Sequence, residues 1–423
     1  MQTRFPPVYY MDKNAEVIVA GAGPAGAIAA YELAVRGIQV LVLEKSVFPR
    51  YKVCGAGLTH KILKEIPFDL SGIIETTIYN ICFSAQCKDA FQRTSDNPMI
   101  YCTMREKLDA FLLEKATAAG AKVHFGEAVT GVFQTPGGVK VQTRNGMYRG
   151  ALLIGADGAT SRVSRTTGLN KNIMMGMAWE AEVLTDRAFL TRYAQTVFLD
   201  WGTFPGGYGW VFPKSDHFSI GVGGPATLSK YMIPYYQQFL KYLENGCGLP
   251  DQEAGLRILG TISLKAWPIP VRIQKSVFHQ GSVLVTGDAG GLTDPLTGEG
   301  IYCAVRSGSL AAAACVEYLQ GQVGSLQKYT EAVNHELMDE LLEANRIKNL
   351  FNTIPRKIHY LVRDHDRVWG AFGKILRGER WYADVKNGFG PWKFLWGLSC
   401  LISRWISNHR EKNYKKNATI RER

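Results

Sequence analysis

The sequence predicts an α/β fold, α+β over the whole chain, that begins with a Rossmann-like domain. The β-branched run Glu16–Ala20 is typical of a buried strand and ends at the glycine-rich segment Gly21–Gly26. A helical pattern from Ala25 to Arg36 and a second apolar run, Gln39–Leu43, complete a βαβ unit. A similar run, Ser282–Thr286, ends at another glycine more than 260 residues after the first turn. Two such units, so far apart in the chain, suit the two ends of one long cofactor.

The glycines of the first turn each suit a dinucleotide. Gly21 permits the tight turn, Gly23 lets the backbone approach a pyrophosphate, and Gly26 allows the helix to pack closely on the strand. Glu44 is predicted to accept hydrogen bonds from the adenosine ribose and to repel the 2′-phosphate of NADP, which favours FAD or NAD. A glycine-rich turn can occur in any α/β protein, but here strand, helix, strand and acid occur together. The predicted contacts are Gly21, Gly23, Pro24, Ala25, Gly26, Glu44 and Lys45.

Arg105 is a candidate for the middle of the cofactor. It precedes a helical pattern with apolar residues on one face, and an arginine at such a helix start can pair with a pyrophosphate. An ordinary surface charge explains Arg105 equally well.

The second turn, at residues 287–308, resembles the second FAD fingerprint of flavoproteins, which implies that it lies at the flavin end of that cofactor. Asp288, after Gly287, is placed to bind the ribityl hydroxyls, although a helix or turn cap would also explain it. Gly298 and Gly300 have no side chains, so their backbone can lie against the isoalloxazine ring. The pattern from Ile301 onward is helical, and the N-terminus of that helix would stabilise negative charge on the reduced flavin.

Three segments in and after the second turn have sequence motifs that are typical of one family. They read Gly-Asp-Ala-Gly at 287–290, Asp-Pro-Leu-Thr-Gly-Glu-Gly-Ile at 294–301 and Ala-x-x-Ser-Gly at 304–308. This wording resembles the geranylgeranyl reductase family, within the para-hydroxybenzoate hydroxylase-like flavoproteins. Aromatic hydroxylases usually read Gly-Asp-Ala-Ala-His and carry Asn after the last glycine pair, where this chain has Gly290 and Tyr302.

The turn Asp157-Gly158 is similar to the Asp-Gly motif of the same superfamily. It follows the apolar strand that begins at Ala151, and in that superfamily it supports cofactor contacts between the two glycine turns. The resemblance covers residues 14–345. It implies a parallel sheet, a three-stranded antiparallel crossover supplied by 122–145, and a larger β-sheet domain inserted after residue 165.

Two other segments resemble the same family and predict the substrate cavity. Pro49–Leu58 is similar to its Cys-Gly loop beside the flavin, and Tyr208–Pro213 to its Tyr-x-Trp-x-Phe-Pro motif. Period-two spacing puts three aromatic rings on one strand face, which suits an apolar isoprenoid chain. A packed core face is the alternative, and it is favoured for Phe212. The predicted substrate-lining residues are Gly55, Gly57, Tyr208, Trp210 and Phe212.

Cys54 is the candidate catalytic residue. The reaction that the family resemblance implies is the saturation of an isolated alkene. It needs a hydride at one carbon and a proton at the other, and a thiol can donate a proton. A small residue fitted into a tight loop is the alternative. Arg50 and Lys52 either bind a substrate pyrophosphate or hold the loop.

Composition favours a globular protein of two joined domains, with 423 residues, mean hydropathy −0.08 and net charge +12. Residues 351–423 carry 16 Lys/Arg against 6 Asp/Glu, so the rest is nearly neutral and nucleic acid is not an expected partner. The eight cysteines show no secreted framework and the chain starts without a signal-peptide pattern, so a cytoplasmic location is expected. Cys82, Cys87 and Cys102 lack the further ligands of a metal site, so no metal is expected.

Residues 391–406 combine three tryptophans with flanking basic residues. This pattern fits a helix lying at a lipid interface, on the cytoplasmic face of a membrane. A C-terminal helix packed on the body is the alternative.

The predicted activity is FAD-dependent reduction of carbon–carbon double bonds in a geranylgeranyl-type chain, by hydride transfer from flavin N5. The chain could belong to a lipid, a quinone, a pigment tail or a diphosphate. A flavin monooxygenase or halogenase is the enzyme alternative, and a lipid-binding flavoprotein without turnover is the third hypothesis. NADPH or a ferredoxin is the expected electron donor. The predicted domains are 1–75, 105–174 and 276–345 (FAD-binding), 76–104 and 175–275 (substrate β-sheet), and 346–423 (basic, helical, C-terminal).

Overall fold

The structure is a computed structural model that describes residues 13–247 and 255–387, together with Ser403, Ile406, residues 409–412 and Tyr414. The strands are β1 Lys13–Ala20, β2 Val40–Glu44, β3 Gly57–Thr59, β4 Thr76–Ile78, β5 Asn80–Ala85, β6 Phe91–Thr94, β7 Ile100–Cys102, β8 Lys122–Phe125, β9 Val129–Thr135, β10 Gly138–Thr143, β11 Met147–Gly155, β12 Ile173–Thr185, β13 Thr196–Trp201, β14 Tyr208–Pro213, β15 Phe218–Pro225, β16 Ile258–Arg272, β17 His279–Gln280 and β18 Val283–Val285. The helices are α1 Pro24–Ala34, α2 Arg105–Ala118, α3 Arg162–Thr166, α4 Arg187–Tyr193, α5 Met232–Glu244, α6 Gly287–Gly290, α7 Ile301–Leu319, α8 Gln327–Val333, α9 Asp339–Thr353, α10 Pro355–Asp364, α11 Asp366–Leu376 and α12 Tyr382–Asn387.

The first sheet carries the predicted βαβ unit. Its strand order is β17-β18-β11-β1-β2-β8, and the neighbours from β18 to β8 are parallel. Every residue of β2 is buried, and Val17, Ile18 and Val19 of β1 are completely so. Continuous apolar runs are expected there, because helices cover both faces of a parallel sheet. The α/β fold predicted from these runs is confirmed.

The predicted antiparallel crossover needs one correction. Of the strands supplied by 122–145, β8 pairs in parallel with β2 and extends the main sheet. The antiparallel unit consists of β9, β10 and the first residues of β11. The nine residues of β11 are long enough to serve both partners, since Tyr148 pairs with Val141 of β10 and with Lys13 of β1.

The second sheet has the order β16-β12-β15-β14-β13-β5-β6. Its strands come from two parts of the chain, residues 80–94 and 173–272, joined where β5 lies parallel to β13. On one face α5 packs with its buried Tyr235, Phe239 and Leu243. The opposite face carries Phe83, Val197 and Leu199 and is turned toward the C-terminal helices.

The C-terminal helices pack on the second sheet. Ile358, Val362 and Trp369 belong to one buried cluster with Phe83 of β5. Within the described part of the chain, no helix is both long and apolar enough to cross a membrane. The predicted interfacial helix 391–406 lies outside the described residues, apart from Ser403 and Ile406.

Candidate functional site

A cavity of about 1550 Å³ extends from the two glycine turns to the second sheet and the C-terminal helices. Every residue predicted for the site lines this cavity except Gly26 and Gly287. Those two lie underneath it. A Cβ on Gly26 would overlap the carbonyl of Gly21, and one on Gly287 would press against Ala25 and Ala304. Because Gly26 and Gly287 have no side chains, α1 and α7 can pack closely against the two glycine turns.

Glu44 fixes the shape of the first turn. One carboxylate oxygen accepts a 2.8 Å hydrogen bond from the Ala22 N–H, and the other accepts a 2.9 Å bond from the Ser46 N–H. Gly21 has a positive φ of 99°, the conformation that favours glycine. Glu44 and Lys45 both line the cavity, so the carboxylate organises the turn from beside the predicted ribose site.

Two arginines meet above Gly23. A Cβ on Gly23 would find the guanidinium nitrogens of Arg50 and Arg105 nearest, at 3.9 and 4.0 Å. Both guanidiniums pair with the buried Asp109, Arg50 at 2.9 Å and Arg105 through two bonds of 2.7 and 2.8 Å. Two positive groups share one carboxylate, which leaves a net positive charge at a turn that suits a pyrophosphate. Sequence reasoning missed Asp109, although its position four residues after Arg105 on a helix was a usable signal.

The Asp157-Gly158 turn lies shortly before the helix α3 and is hydrogen-bonded to its first residues. Asp157 accepts hydrogen bonds from the N–H groups of Arg162 and Val163, at 2.6 and 3.1 Å, and from the Ser161 hydroxyl at 2.5 Å. Its carboxylate is thus a helix cap, while both turn residues still line the cavity.

The second turn is tied to its surroundings by carboxylates. Glu299 accepts a 2.7 Å hydrogen bond from the Thr59 hydroxyl and lies 3.3 Å from the ammonium of Lys61. Asp294 accepts a 2.8 Å bond from the phenol of Tyr382 in α12. These contacts attach the turn to the strand after the Cys-Gly loop and to the C-terminal helices.

The predicted flavin-end residues surround the start of α7. Asp288 lies with one oxygen 3.4 Å from the Thr293 hydroxyl, and the space beside Gly300 faces the same oxygen. α7 begins at Ile301, and no side chain in the described part of the chain caps its first turn. Its N-terminal N–H groups and dipole therefore favour negative charge in the cavity.

Lys214 holds the Cys-Gly loop in place. Its buried ammonium donates hydrogen bonds of 2.6 Å to the Gly55 carbonyl and 2.8 Å to the Thr103 carbonyl. The ring of Phe212 lies directly against Gly55 and Gly57, where any Cβ would overlap it. Phe212 therefore packs against the loop and lines the cavity at once, and this close approach accounts for the two loop glycines.

Cys54 faces the cavity near the arginines. Its sulfur accepts a 3.4 Å hydrogen bond from the Ala56 N–H and lies within reach of the Arg105 guanidinium. Burial, together with the charge of Arg105, lowers the pKa of the neighbouring Lys52, whose ammonium lies 4.8 Å from the centre of the Trp267 ring.

The half of the cavity beyond the loop is apolar. Tyr208 and Trp210 stand side by side on β14, with ring centroids 5.3 Å apart. The neighbouring strands add Ile81, Phe83, Val197, Leu199 and Trp201. The facing helices add Leu350, Phe351, Ile358, Val362, Phe372 and Leu376. This second wall was not predicted from the sequence. The C-terminal region is strongly basic overall, and the apolar faces of its helices were not recognised.

Glu180 of β12 is a site residue that sequence reasoning missed. Its side chain is completely buried yet lines the cavity, and one oxygen accepts a 2.8 Å hydrogen bond from the indole N–H of Trp210. Burial, and then the charge of Glu182, raise the pKa of Glu180 to about 7. A glutamate within an apolar strand, two residues from another glutamate, was the available signal.

The thiols of Cys82, Cys87 and Cys102 are not gathered into a ligand set. Cys82 and Cys102 are buried, while Cys87 is partly exposed. Among the described residues, no group of three His, Cys, Asp or Glu side chains is arranged to hold a metal ion.

Comparison with known proteins identifies the family. The sequence matches the FAD binding domain family over residues 14–219. An uncharacterized protein of Methanosarcina barkeri is 30% identical over 339 residues, covering 80% of this chain and 84% of that protein. Digeranylgeranylglycerophospholipid reductase 1 of Methanopyrus kandleri is 28% identical over 359 residues, covering 81% and 92%. The solved structure of a geranylgeranyl bacteriochlorophyll reductase-like protein of Thermoplasma acidophilum matches with a TM-score of 0.68 and 26% identity, over 80% of this chain and 88% of that one. Geranylgeranyl diphosphate reductase of Oryza sativa subsp. japonica is 30% identical over 327 residues, covering 72% of this chain and 67% of that protein. The chain belongs to the geranylgeranyl reductase family.

This member of the geranylgeranyl reductase family is an FAD-dependent oxidoreductase, as predicted. Its site fits the cofactor: a side chain on Gly23 would fill the space under two guanidiniums, and the start of α7 is uncapped within the described residues. The flavin-dependent brominase Bmp2 superimposes with a TM-score of 0.69, over 89% of this chain and 98% of that one, but at 20% identity. That likeness shows a shared fold.

Proposed function

We propose that this reductase-family protein saturates carbon–carbon double bonds in a geranylgeranyl-type isoprenoid chain. The observation that carries the proposal is the continuity of one cavity, which joins the two glycine turns to an apolar space walled by β14 and by α9–α11. A long hydrocarbon chain gains free energy by leaving water for such a space, and it needs no polar partner there. The relative from Methanopyrus kandleri is named for reduction of a digeranylgeranyl lipid, which supports the same substrate class.

The cofactor end is assigned to the residues that fit a dinucleotide. Gly23, Arg50 and Arg105 would hold the pyrophosphate, with Glu44 at the ribose and Asp288 at the ribityl chain. Bound reduced FAD supplies the hydride. The side chains of Tyr208, Trp210 and Phe212 orient the alkene by contact, and the apolar walls exclude water from it. Cys54 also lines the cavity, with its thiol near the Arg105 guanidinium.

The domain division follows the two sheets. We assign residues 1–75, 105–174 and 276–345 to FAD binding, and 76–104 and 175–275 to the substrate sheet. The C-terminal region 346–423 takes part as well, since residues 347–385 supply one wall of the cavity.

We also propose a route by which the substrate enters the cavity and a source of electrons. Leu361 and Val368 line the cavity and are also exposed, at 39% and 37%, so the apolar space reaches the surface between α10 and α11. Peripheral contact of residues 391–406 with a membrane would bring a prenyl lipid to that opening. NADPH or a ferredoxin is the proposed electron donor.

Anaerobic single-turnover spectroscopy tests the proposed function. The holoenzyme is photoreduced without oxygen and mixed with a geranylgeranyl lipid or diphosphate, and flavin absorbance is followed. We expect the oxidised flavin spectrum to return with the prenyl compound and not with its fully saturated analogue. A flavin that is reoxidised only when oxygen is admitted would support a monooxygenase or halogenase. A flavin that no prenyl compound reoxidises would support a lipid-binding flavoprotein.

A further inference from the structure

Glu180 is a buried acid at the boundary between the two halves of the cavity. Its Oε2 accepts the Trp210 indole hydrogen bond and would lie 3.4 Å from a Cβ on Gly55. Its Oε1 has no hydrogen-bond partner among the described residues, although the backbone N–H of Cys54 lies near enough to favour the charged form. The side chain is completely buried in the protein and still belongs to the cavity lining, with one oxygen that has no hydrogen-bond partner among the described residues.

Glu180 and Glu182 are two neighbouring acids, and the groups around them stabilise the negative charge of Glu182 more than that of Glu180. Glu182, on the same face of β12, accepts a 2.5 Å hydrogen bond from the Ser219 hydroxyl and lies 3.0 Å from His217. It also accepts a 3.3 Å bond from the Tyr51 phenol. Those partners stabilise Glu182 as a carboxylate, and its charge opposes a second one on Glu180.

The other titratable groups near Glu180 come from the elements packed around it. They are Tyr208 in β14, Lys214 directly after that strand, Tyr51 in the loop before β3, Tyr236 in α5, and Lys265, the residue of β16 that pairs with Glu180. The Lys214 ammonium is engaged by two backbone carbonyls, and the Lys265 ammonium lies 4.5 Å from the centre of the Tyr51 ring. Among the described residues, neither cation forms a salt bridge with Glu180.

We propose that Glu180 is the catalytic acid that protonates the alkene, an inference that rests on the proposed function. In this step the O–H bond of Glu180 breaks and a C–H bond forms at one alkene carbon. The adjacent carbon accepts the hydride, so both electrons come from reduced FAD and the substrate gains two hydrogens. Glu180 is left as a carboxylate that recovers its proton from solvent. Cys54, beside it, lines the site without supplying the proton.

The geometry favours Glu180 over Cys54 for this role. The Cys54 sulfur lies near the Arg105 guanidinium, at the end of the cavity assigned to the pyrophosphate. Glu180 lies instead beside the Trp210 ring, on the wall assigned to the prenyl chain, and burial keeps its pKa near neutrality.

The test compares holoenzyme with Glu180→Gln, Glu180→Asp, Cys54→Ser and the remote control Glu331→Gln. Anaerobic reoxidation of photoreduced FAD by a geranylgeranyl lipid is measured against pH, and infrared difference spectra follow the protonated carboxyl carbonyl band. We expect the wild-type rate to fall as pH rises through about 7. Glu180→Gln should be slower by at least about a hundredfold and lose that pH dependence, while binding FAD as before. Glu180→Asp should recover part of the rate, and Cys54→Ser should keep the wild-type pH profile.

The infrared measurement gives a readout independent of turnover. The carboxyl band should titrate near pH 7 in the wild type and be absent in Glu180→Gln. If Glu180→Gln reoxidises at the wild-type rate with the same pH profile, or if Cys54→Ser alone abolishes it, the assignment of Glu180 is wrong while the proposed function stands. If the wild type itself is not reoxidised by any prenyl compound, the proposed function is wrong and the catalytic role falls with it.

Discussion

The phenol of Tyr208 occupies the space where a side chain on Gly298 would begin. A Cβ at Gly298 would lie closer to the Tyr208 oxygen than real Cβ contacts allow, and Gly298 has a φ of +73°. The same phenol donates a 3.5 Å hydrogen bond to the Thr297 carbonyl. The strand β14 and the second glycine turn are thus fitted to each other at the point where the two sheets meet.

Gly298→Ala is expected to destabilise the protein more than Gly37→Ala. Both glycines have positive φ, but a Cβ on Gly37 would meet nothing within 4 Å. Backbone strain of about 1–2 kcal/mol applies to both variants, and overlap with Tyr208 adds about 1–3 kcal/mol at Gly298 alone. Urea unfolding measures the difference. Adding Tyr208→Phe to Gly298→Ala removes the overlapping oxygen and should recover most of the extra loss in the free energy of unfolding. Equal losses in the two glycine variants would contradict the close fit.

Asp109→Asn is expected to lower the free energy of unfolding by about 3–5 kcal/mol. The substitution leaves the guanidiniums of Arg50 and Arg105 without their shared, completely buried carboxylate. Chemical denaturation of the variant measures this loss, and titration with FAD measures the effect on the turn. Asp364→Asn, which removes an exposed carboxylate paired with Arg363, is the control and should change little. A loss at Asp109 no larger than the control would show that the arginines do not need it.

Leu199→Trp is expected to obstruct the apolar half of the cavity. Leu199 lies on β13, on the wall that faces α9–α11, so a larger ring there shortens the space for a prenyl chain. Steady-state kinetics should show kcat/KM for a geranylgeranyl substrate falling at least about tenfold, with FAD affinity unchanged. The matched control is Leu184→Trp, at an exposed position of β12 outside the cavity lining. Equal activity of the two variants would place the substrate elsewhere.

Glu180→Gln is expected to change how stability depends on pH. The folded protein holds the Glu180 proton more tightly than the unfolded chain, because burial raises its pKa from 4.5 to about 7. The wild type therefore loses stability as pH rises across that interval, and the neutral amide does not. Relative to wild type, Glu180→Gln should gain up to about 3 kcal/mol between about pH 4.5 and pH 7. Thermal unfolding against pH checks this, with Glu331→Gln as the control; a constant difference between Glu180→Gln and wild type would contradict the raised pKa.

The parts of the site that sequence predicted are those fixed by local chain chemistry. The turns at Gly21 and Gly287 need a conformation that glycine tolerates best, and β-branched runs mark the strands that end just before them. Period-two spacing likewise predicted that Tyr208 and Trp210 share a face, and their rings are neighbours. Each of these sequence patterns lies within a few residues of the structural feature that it predicts.

The parts that sequence did not predict depend on contacts between distant segments. Lys214 binds the loop carbonyl of Gly55, 159 positions away. Glu180 gains its cavity position because β12 lies in the same sheet as β14, with β15 between them, and the loop packs against that sheet. The strand β8 was assigned to the wrong pairing for the same reason, since its partner β2 lies far from it in sequence. The region 346–423 was predicted to be helical, but the place of α9–α11 as a cavity wall depends on the second sheet.

Mass spectrometry of prenyl lipids tests the central claim most directly. Lipids are extracted from anaerobic cells that express the chain and from matched cells that express Glu180→Gln. We expect mass gains in steps of two hydrogens on geranylgeranyl chains in the wild-type cells, and far smaller gains in the variant. Prenyl lipids that stay unsaturated in both strains, or products that carry added oxygen or halogen, would contradict the proposed reduction.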